Sequence, residues 1–263
     1  RDRSQRGCRL WLGDDGTAVG LACWQTPWAT LDFYVRPGPF ERDVEKAIFA
    51  WAARRFRELD DERGHPLPYW AEARDDDADR LALLARHGYA VDEDYGYVLM
   101  QRPLAEPFGS AVLPPGFAIR PFAGEGEVEA YVALHRRAFE SATMTAPWRA
   151  RTLRWAQHRP ELDLVAVAPD GRLAGFCVGW LDADRRVAQI EPFGVDPDYR
   201  NLGLGRTLLL EMLARFRSHG ADVAMVETVG GWAPAVAAYV AVGFRQVGRA
   251  IRKGRWFSAQ PRG

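Results

Sequence analysis

Apolar runs, tight turns and amphipathic segments repeat in the same order in two stretches of the chain. Asp15-Gly16 and Asp170-Gly171 each separate two apolar runs, a pattern typical of a β-hairpin. Gly88 and Gly243 each end an amphipathic segment and precede an aromatic residue that begins an apolar run. Gly171 follows Gly16 by 155 residues, and Gly243 follows Gly88 by the same number. The equal spacing indicates a duplicated domain.

A third landmark supports the duplication and locates a small difference between the copies. Val35-Arg36-Pro37 matches Val195-Asp196-Pro197, at a spacing of 160 residues instead of 155. A short insertion in the second copy, offset by a later deletion, would account for the difference. Each copy is predicted to run as a strand hairpin, a third strand, a long helix, a strand, a short helix and two final strands.

In the second copy the pattern sets bounds for each element. The long helix carries an apolar stripe at helical spacing, formed by Leu204, Leu208, Leu209, Met212, Leu213 and Phe216. Strands are predicted over Phe117–Arg120, Leu164–Ala168, Arg172–Leu181, Arg186–Val195, Asp222–Thr228, Phe244–Arg249 and Arg255–Ser258. Helices are predicted over Glu127–Phe139, Pro147–Gln157, Gly205–Ser218 and from Pro234 to Gly243. Strands and helices mixed in this order predict an α/β (α+β) fold.

The two copies predict two domains and a proline-rich linker. We expect a first domain over residues 1–104, a linker over 105–115 that contains Pro107, Pro114 and Pro115, and a second domain over 116–263. Shifting the first strand and first two helices of the second copy back by 155 residues places them before Arg1. We therefore expect the first copy to be incomplete here and the natural protein to have a further N-terminal segment.

Composition and charge narrow the class of protein. The 263 residues are 48% hydrophobic, which is ordinary for globular domains, and 35 basic residues balance 35 acidic ones. The zero net charge argues against a nucleic-acid partner, and no apolar run of about 18 residues predicts a membrane span. Without a visible secretory leader, we expect a cytoplasmic protein. Cys8, Cys23 and Cys177 are odd in number and far apart, so we expect neither a disulfide framework nor a metal site.

One loop of the second copy has the composition of a phosphate-binding site. Residues 193–209 lead from a strand through Gly203 and Gly205 directly into the amphipathic helix. Glycines let backbone N–H groups approach one point, and the start of a helix favours an anion. Arg200 and Arg206 add positive charge. Leu208 stands where a dinucleotide-binding motif needs its third glycine, and the chain has no nucleotide P-loop motif.

At this loop the sequence resembles the GNAT N-acetyltransferase superfamily. Arg200-x-x-Gly203-x-Gly205 after Val195-x-Pro197 is similar to the acyl-CoA-binding motif of that family, and Tyr239 followed by Gly243-Phe244 is similar to its last helix. The resemblance covers residues 116–258 well and 8–103 as a decayed copy. It implies two tandem GNAT-fold domains, each a mixed, mostly antiparallel sheet flanked by helices, with the N-terminal copy incomplete. Trp232 stands where the family often has an asparagine.

The resemblance also implies a cofactor and a reaction. The cofactor would be acetyl-CoA or another short acyl-CoA, and the acyl group would pass directly to a primary amine in a ternary complex, without a metal. The acceptor would be a small-molecule or peptide amine. The residues that would bind the cofactor through the strand end and the loop are Val195, Arg200, Asn201, Leu202, Gly203, Leu204, Gly205 and Arg206.

Two side chains are the candidates for catalysis within this resemblance. Tyr239 would protonate the leaving thiolate, because a phenol pKa of about 10 is near that of an alkyl thiol. Glu191 is the candidate general base, with Gln189 on the same strand face and Glu227 on the next strand as the reserve choice. Each has a structural alternative: Tyr239 as a core aromatic, and Glu191 as a partner for an arginine or for a substrate cation.

Several other side chains are expected to be structural. Cys177 is expected in the core, and the histidines of the second copy are expected at the surface or at helix ends. The tryptophans are expected mostly in the core, with some in the wall of an acceptor pocket; they are Trp148, Trp155, Trp180 and Trp232.

The first copy is expected to be inert. Its matching loop contains Pro37 and Pro39, which cannot donate an N–H, and Glu41 and Asp43, which place negative charge at the helix start. The position 155 residues before Tyr239 is Leu84, which has no proton to give. We therefore expect one working site, in the second copy.

Three alternatives stay open beside a general N-acetyltransferase. The first is a mycothiol-synthase-like tandem enzyme, whose acceptor is a cysteinyl pseudodisaccharide. The second is a non-catalytic acyl-CoA sensor or scaffold. The third is a regulator that holds a mononucleotide on the glycine loop. The residues specify neither the acceptor amine nor an oligomeric state.

Overall fold

The structure is a computed structural model, which describes residues 7–25, 28–65, 68–110 and 112–255. The chain divides into two compact units: residues 1–97 together with 248–263, and residues 98–247. These bounds differ from the domains expected above, because the chain after residue 247 groups with the first unit. Residues 98–115, which include the expected linker, group with the second unit.

The first unit is a sheet with two helices. Its elements are β1 (Cys8–Leu12), β2 (Ala18–Gln25), β3 (Thr30–Val35), α1 (Glu41–Arg63), β4 (Tyr69–Arg74), α2 (Ala78–Arg86) and the first part of β5 (Ala90–Pro103). Neighbouring strands lie in the order β1-β2-β3-β4, and beside β4 lies the end of β11 (Arg245–Arg255). β3 and β4 are parallel, whereas β1 with β2, β2 with β3, and β4 with β11 are antiparallel.

The second unit repeats this plan and has one additional strand and two additional helices before it. After β5 come β6 (Ala118–Pro121), α3 (Val128–Phe139), α4 (Ala146–Thr152), β7 (Asp163–Val167), β8 (Leu173–Asp182), β9 (Val187–Val195), α5 (Leu204–Ser218), β10 (Val223–Val229) and α6 (Ala233–Val240). The additional elements are β6, α3 and α4. Its strands lie in the order β5-β10-β9-β8-β7-β6. β9 and β10 are parallel, and β6 to β9 form an antiparallel run. The mixed, mostly antiparallel sheet flanked by helices confirms the predicted fold class.

Hydrogen bonds repeat at the spacing that the sequence predicts. Asp15 and Asp170 each accept a bond from the backbone N–H two residues later, at 3.0 Å in both turns. At the helix ends the Tyr89 N–H donates to the carbonyl of Leu84, and the Phe244 N–H donates to the carbonyl of Tyr239. These bonds lie 155 residues apart in the chain, so the duplication extends to the backbone geometry.

In the second unit, one face of the sheet packs closely against α5. All six residues of the predicted stripe are buried, which explains why this segment forms a helix against the sheet. A Cβ at Gly179 would lie 2.5 Å from the Phe216 ring, and a Cβ at Gly175 would lie 2.9 Å from Leu208. The two glycines of β8 therefore allow α5 to pack closely, and this packing sets the position of the loop that precedes it.

The opposite face of this sheet is covered by α3 and α4. Arg149 of α4 is buried and pairs with buried Asp163 at the start of β7, and His158 lies 2.9 Å from the same carboxylate. His135 is also buried and stacks on Phe176, with ring centroids 5.5 Å apart. The expectation that the histidines lie at the surface or at helix ends is wrong for His135.

The predicted bounds differ most from the structure at two elements. The predicted strand pair at the C-terminus is one continuous strand up to Arg255, because residues 250–255 pair antiparallel with β4. The predicted end at Ser258 lies outside the described residues. The helix predicted to reach Gln157 ends at Thr152. Within the described ranges, no helix has the length and apolar character needed to cross a membrane.

Candidate active site

Residues 201–206, at the end of the loop that follows β9 and the start of α5, present a run of backbone N–H donors, and we call them the donor loop. From Asn201 to Arg206, the six N–H groups donate to no protein acceptor within the described part of the chain. Asn201 and Gly203 both have positive φ, at 64° and 79°, which turns successive N–H groups toward one side. The donors stand at the start of a 15-residue helix, where its dipole is positive. The arrangement is suited to an anion with several oxygens.

The two glycines of the loop have different roles. A Cβ on Gly203 would meet nothing within 4 Å, so the backbone there is open to an approaching group. A Cβ on Gly205 would lie 3.2 Å from the Phe193 ring and 3.3 Å from the Val195 side chain. Gly205 therefore brings the helix against β9, whereas Gly203 leaves space in front of the donors.

The two arginines of the loop also differ. The Arg200 guanidinium donates to the carbonyls of Ala138 and Val195, at 3.0 and 3.4 Å, so it braces the loop against α3. Arg206 is exposed, and its guanidinium lies over Gly109, where a Cβ would be 3.3 Å away. We therefore expect Arg206, more than Arg200, to face an anion at the helix start with its positive charge.

An ion-pair clamp that sequence reasoning missed holds the loop to α3. Arg137 donates two hydrogen bonds of 2.9 Å to the buried carboxylate of Asp196 and a third, of 2.7 Å, to Asp198. Asp196 in turn accepts the N–H of Asp198, which shapes the turn after β9. The bidentate geometry fixes where the strand ends relative to the donors.

The backbone edge of β9 becomes free just before the loop. The residue pairing of β9 with β10 ends at Gln189 and Met225, although both strands continue for several residues. On the other side, β9 stays paired with β8 as far as Val195. An edge with unpaired main-chain groups can accept an extended ligand as an additional strand.

A β-bulge presents Glu191 at the point where the strands part. Cys177 pairs with Phe193 and Gly179 pairs with Ile190, so Val178 lies opposite both Glu191 and Pro192. The extra residue re-aims the side chains of the bulged strand. Trp180 stabilises this shape, because its indole N–H donates to the Glu191 carbonyl at 2.6 Å.

Glu191 and Glu227 form a carboxylate pair on neighbouring strands. The Glu191 side chain reaches solvent, yet protein surrounds it closely, and this desolvation is the main cause that raises its pKa to about 7. The negative charge of Glu227 adds to the shift. A carboxyl group with a pKa near neutrality is suited to accept a proton under physiological conditions.

Tyr239 lies beside this pair in the apolar interior. It is buried on α6, and its ring centroid is 5.8 Å from that of Phe193. Burial raises the pKa of the phenol well above its usual value, and the nearby Cys177 and Glu191 contribute to the shift. The hydroxyl therefore stays protonated across the physiological range. Cys177 is buried as expected, and burial likewise raises its pKa, so it has little thiolate character.

A groove of about 530 Å³ lies next to the carboxylate pair. Gln189 and Met225 line it and stand two residues before Glu191 and Glu227, so they share a strand face with them. Its other lining residues include Gln157, Trp180, Asp182 and Asp184. Trp155 lies 5.9 Å from Trp180 between ring centroids and is exposed. The expectation that the four tryptophans lie mostly in the core is wrong, since all four reach the surface or are half-buried.

The fold and the site define a class of protein. A profile described as the Acetyltransferase (GNAT) family matches residues 128–244, which contain the donor loop, the bulge and α6. A mycothiol acetyltransferase of Thermomonospora curvata is 30% identical over 250 residues, which is 92% of this chain and 80% of that protein. The chain belongs to the GNAT acetyltransferase family, whose members use acetyl-CoA as acyl donor.

A further relative agrees with this membership, and two solved structures share the fold. A mycothiol acetyltransferase of Thermobispora bispora is 31% identical over 194 residues, and the match spans 64% of that protein, less than two thirds of its length. A tandem GNAT protein from the clavulanic acid biosynthesis pathway superposes with a TM-score of 0.72 at 18% identity, over 97% of this chain and 85% of that one. A GCN5-related N-acetyltransferase from Sphaerobacter thermophilus gives 0.69 at 21% identity, over 95% and 81%. This chain shares the fold of both structures, of which the first is a tandem GNAT protein.

Proposed function

We propose that residues 98–247 transfer an acetyl group from acetyl-CoA to a primary amine of a small-molecule acceptor, directly and in a ternary complex. The observation that carries the proposal is the run of six open N–H groups from Asn201 to Arg206 at the start of α5. Such a set of donors at a helix N-terminus fits the pyrophosphate of coenzyme A. Another short acyl group would use the same loop.

The free edge of β9 fits the remaining arm of the cofactor. The pantetheine arm has amide groups that can pair with the strand backbone up to Val195, in the manner of an added strand. This path leads from the donor loop to the bulge at Glu191, where β9 is no longer paired with β10. The bound cofactor supplies an activated thioester at that point.

Glu191 acts as the general base in this proposal. An amine acceptor arrives mainly as an ammonium ion, which cannot attack until it loses a proton. With its pKa raised to about 7, the Glu191 carboxylate can take that proton directly or through one water. Glu227 keeps the pKa of Glu191 high by charge repulsion, and it is the reserve base.

Tyr239 acts as the general acid. Its protonated phenol can give a proton to the departing sulfur, and its nearness to the Glu191 carboxylate supports a role in the same site. The burial that raises the phenol pKa would also raise the pKa of a thiol held there, so the two groups stay matched. The carboxylate and the phenol therefore have opposite protonation states and complementary roles.

The groove beside Glu191 is the proposed acceptor site. Its amide and carboxylate side chains can hydrogen-bond a polar molecule, and Trp180 supplies a flat apolar wall. Because Gln189 and Met225 line the groove and stand two residues before Glu191 and Glu227 on their strands, an amine lying in the groove would reach the proposed base.

A second, narrower function is favoured by the names of the relatives. Several proteins that are about 30% identical to this chain are called mycothiol acetyltransferase. The cysteinyl pseudodisaccharide considered above is therefore the first acceptor to assay, beside simple primary amines. Acetylation of this compound far above the simple amines would select the narrower function; equal rates would favour a broader acceptor range.

Titration with acetyl-CoA tests the donor loop. Gly203→Asp would place a carboxylate in the open space before the N–H groups, and we expect acetyl-CoA affinity to fall about 100-fold, which is near 2.7 kcal/mol. Gly64→Asp is the matched control, because Gly64 has a φ of 78°, as Gly203 has 79°, and likewise no atom within 4 Å of a Cβ. The control pays the same backbone strain, so it should bind acetyl-CoA like the wild type.

ATP serves as the control for cofactor type. Wild-type binding to acetyl-CoA but not to ATP is the expected result. Preference for ATP would favour a mononucleotide regulator, and absence of acetyl-CoA binding by folded protein would overturn the proposed function.

A further inference from the structure

Two cysteines of the first unit face each other across neighbouring strands. Cys8 of β1 is the register partner of Cys23 of β2 in an antiparallel pair. They are 15 residues apart in the sequence, and only the hairpin register brings them together. Cys8 is exposed and Cys23 is half-buried, and both are free thiols in this structure.

The hydrogen bonds of the hairpin define the type of pair. The Trp24 N–H donates to the Gly7 carbonyl, so these opposed residues form a hydrogen-bonded pair. Pair types alternate along an antiparallel ladder, so the next pair, Cys8 and Cys23, is of the type without hydrogen bonds. Such pairs have Cα atoms about 4.5 Å apart and the closer side chains. That separation lies within the range that a disulfide can bridge, roughly 4.4–6.8 Å.

The surroundings of Cys23 agree with a short separation between Cys8 and Cys23. Burial is the main cause that raises the pKa of Cys23 to about 12, and the neighbouring Cys8 thiol contributes to the shift. Asp32, its register partner on β3, adds a smaller electrostatic effect. The influence of Cys8 on Cys23 agrees with two thiols that face each other across the register pair, and Cys8 is the more accessible of the two.

We propose that Cys8 and Cys23 are a redox site, which forms an intramolecular disulfide by exchange with a low-molecular-weight disulfide. The site is independent of the transferase chemistry, because both cysteines belong to the first unit. It also modifies the expectation from the sequence that no disulfide forms: the thiols are free until such an oxidant is present.

The exchange has two steps that balance. The Cys8 thiolate attacks the small disulfide, forms a mixed disulfide and releases one small thiolate, which takes up the proton that Cys8 lost. Cys23 then loses its proton and attacks the Cys8 sulfur, so that the second small thiolate leaves and takes that proton. The two protein thiols are oxidised by two electrons, and the small disulfide is reduced to two thiols.

Bis(2-hydroxyethyl) disulfide is a suitable probe for the full chain. We expect the wild type to lose two of its three thiols, to become lighter by two hydrogen atoms, and to give a peptide in which Cys8 is linked to Cys23. Cys23→Ser cannot complete the second step, so it should keep one small thiol attached to Cys8. Cys177→Ser should behave like the wild type, because Cys177 is fully buried.

Several outcomes would overturn the proposal. They are a wild type that carries small thiols on both Cys8 and Cys23, cross-linking between chains instead of within one, and a disulfide that involves Cys177. Phenylarsine oxide gives a second measurement on unmodified wild type, since it binds tightly only where two thiols lie close together. One arsenical per chain, lost in Cys8→Ser, is expected; no stoichiometric binding would contradict the close thiol pair.

Discussion

The two units start their long helices from the same position in the repeat and with opposite electrostatics. At the start of α5 the N–H groups from Asn201 to Arg206 are all open. At the start of α1, Pro37 and Pro39 have no N–H, and the N–H groups of Glu41 and Asp43 donate to carbonyls of the same loop. The apolar stripe is buried in both helices. The fold therefore requires the stripe, whereas anion binding requires the open donors, and the first unit has kept only the former.

A second difference lies in the third strand of each unit. In β3, Asp32 alone faces Cys23 and the register continues without a break, whereas in β9 both Glu191 and Pro192 face Val178. The bulge supplies one of the additional residues that the change of spacing from 155 to 160 indicates. Asp32 also accepts a hydrogen bond from Gln25. Both carboxylates are exposed, but Glu191 stands at a bulge, whereas Asp32 stands within a regular sheet and is hydrogen-bonded to Gln25.

The largest effect is expected from removal of the proposed base that only the second unit has. Glu191→Gln should lower kcat/KM about 1000-fold above pH 7, because general-base catalysis typically contributes about 10²–10⁴. In the wild type, kcat/KM should rise with pH through about 7, as the carboxylic acid becomes the carboxylate that accepts a proton. The variant should lose this rise, which a pH profile of initial rates would show.

Glu227→Gln is the matched control for this experiment. It removes the neighbouring negative charge that helps to raise the Glu191 pKa, so the rise in kcat/KM should remain and move to lower pH. If Glu227→Gln abolishes the rise and Glu191→Gln retains it, the assignment of base and neighbour is reversed. Wild-type protein that binds acetyl-CoA but acetylates no amine would favour the sensor.

A smaller effect is expected where the short helices differ. Tyr239 and Leu84 occupy equivalent positions, and each accepts the same backbone hydrogen bond from the residue five positions later. Tyr239→Phe should lower kcat about 100-fold at all pH values below the raised phenol pKa, and leave the acetyl-CoA Kd nearly unchanged. Single-turnover kinetics would separate this effect from product release.

Tyr89→Phe is the control for loss of a buried hydroxyl. Tyr89 is buried in the first unit, and its hydroxyl has no hydrogen-bond partner in the described part of the chain. Its removal should leave kcat unchanged and stability equal or slightly higher. Equal loss of kcat in the two variants would exclude a specific role for Tyr239 as the acid.

These differences also show how far the sequence could predict the site. Gly203 and Gly205 predicted the donor loop, since a strand, two glycines and an amphipathic helix are consecutive in the chain. The bulge at Glu191 could not be predicted, because it depends on how β9 pairs with β8. The groove could not be predicted for a related reason, because Gln157 and Met225 are far apart in sequence and come together only in the tertiary fold.

The C-terminus illustrates the same distinction on the scale of whole elements. The local pattern predicted two separate strands, Phe244–Arg249 and Arg255–Ser258. Pairing with β4 keeps the strand continuous, and Lys253 is buried with its amine 3.5 Å from the Leu81 carbonyl. A partner strand and a carbonyl acceptor decide this segment, and neither is visible in its own sequence.

The smallest effect is expected at the third residue of each long helix, which is Asp43 in α1 and Arg206 in α5. Near a helix N-terminus a carboxylate is stabilising and a cation destabilising, each by up to about 1 kcal/mol at low salt. Asp43→Asn should therefore lower the midpoint of urea unfolding slightly, and the change should shrink with added salt. Arg206→Asn should leave stability equal or slightly higher and weaken acetyl-CoA binding several-fold. If Arg206→Asn left the Kd of acetyl-CoA unchanged, the open N–H groups alone would hold the anion. The two units would then differ in anion binding only through the backbone donors at their helix starts.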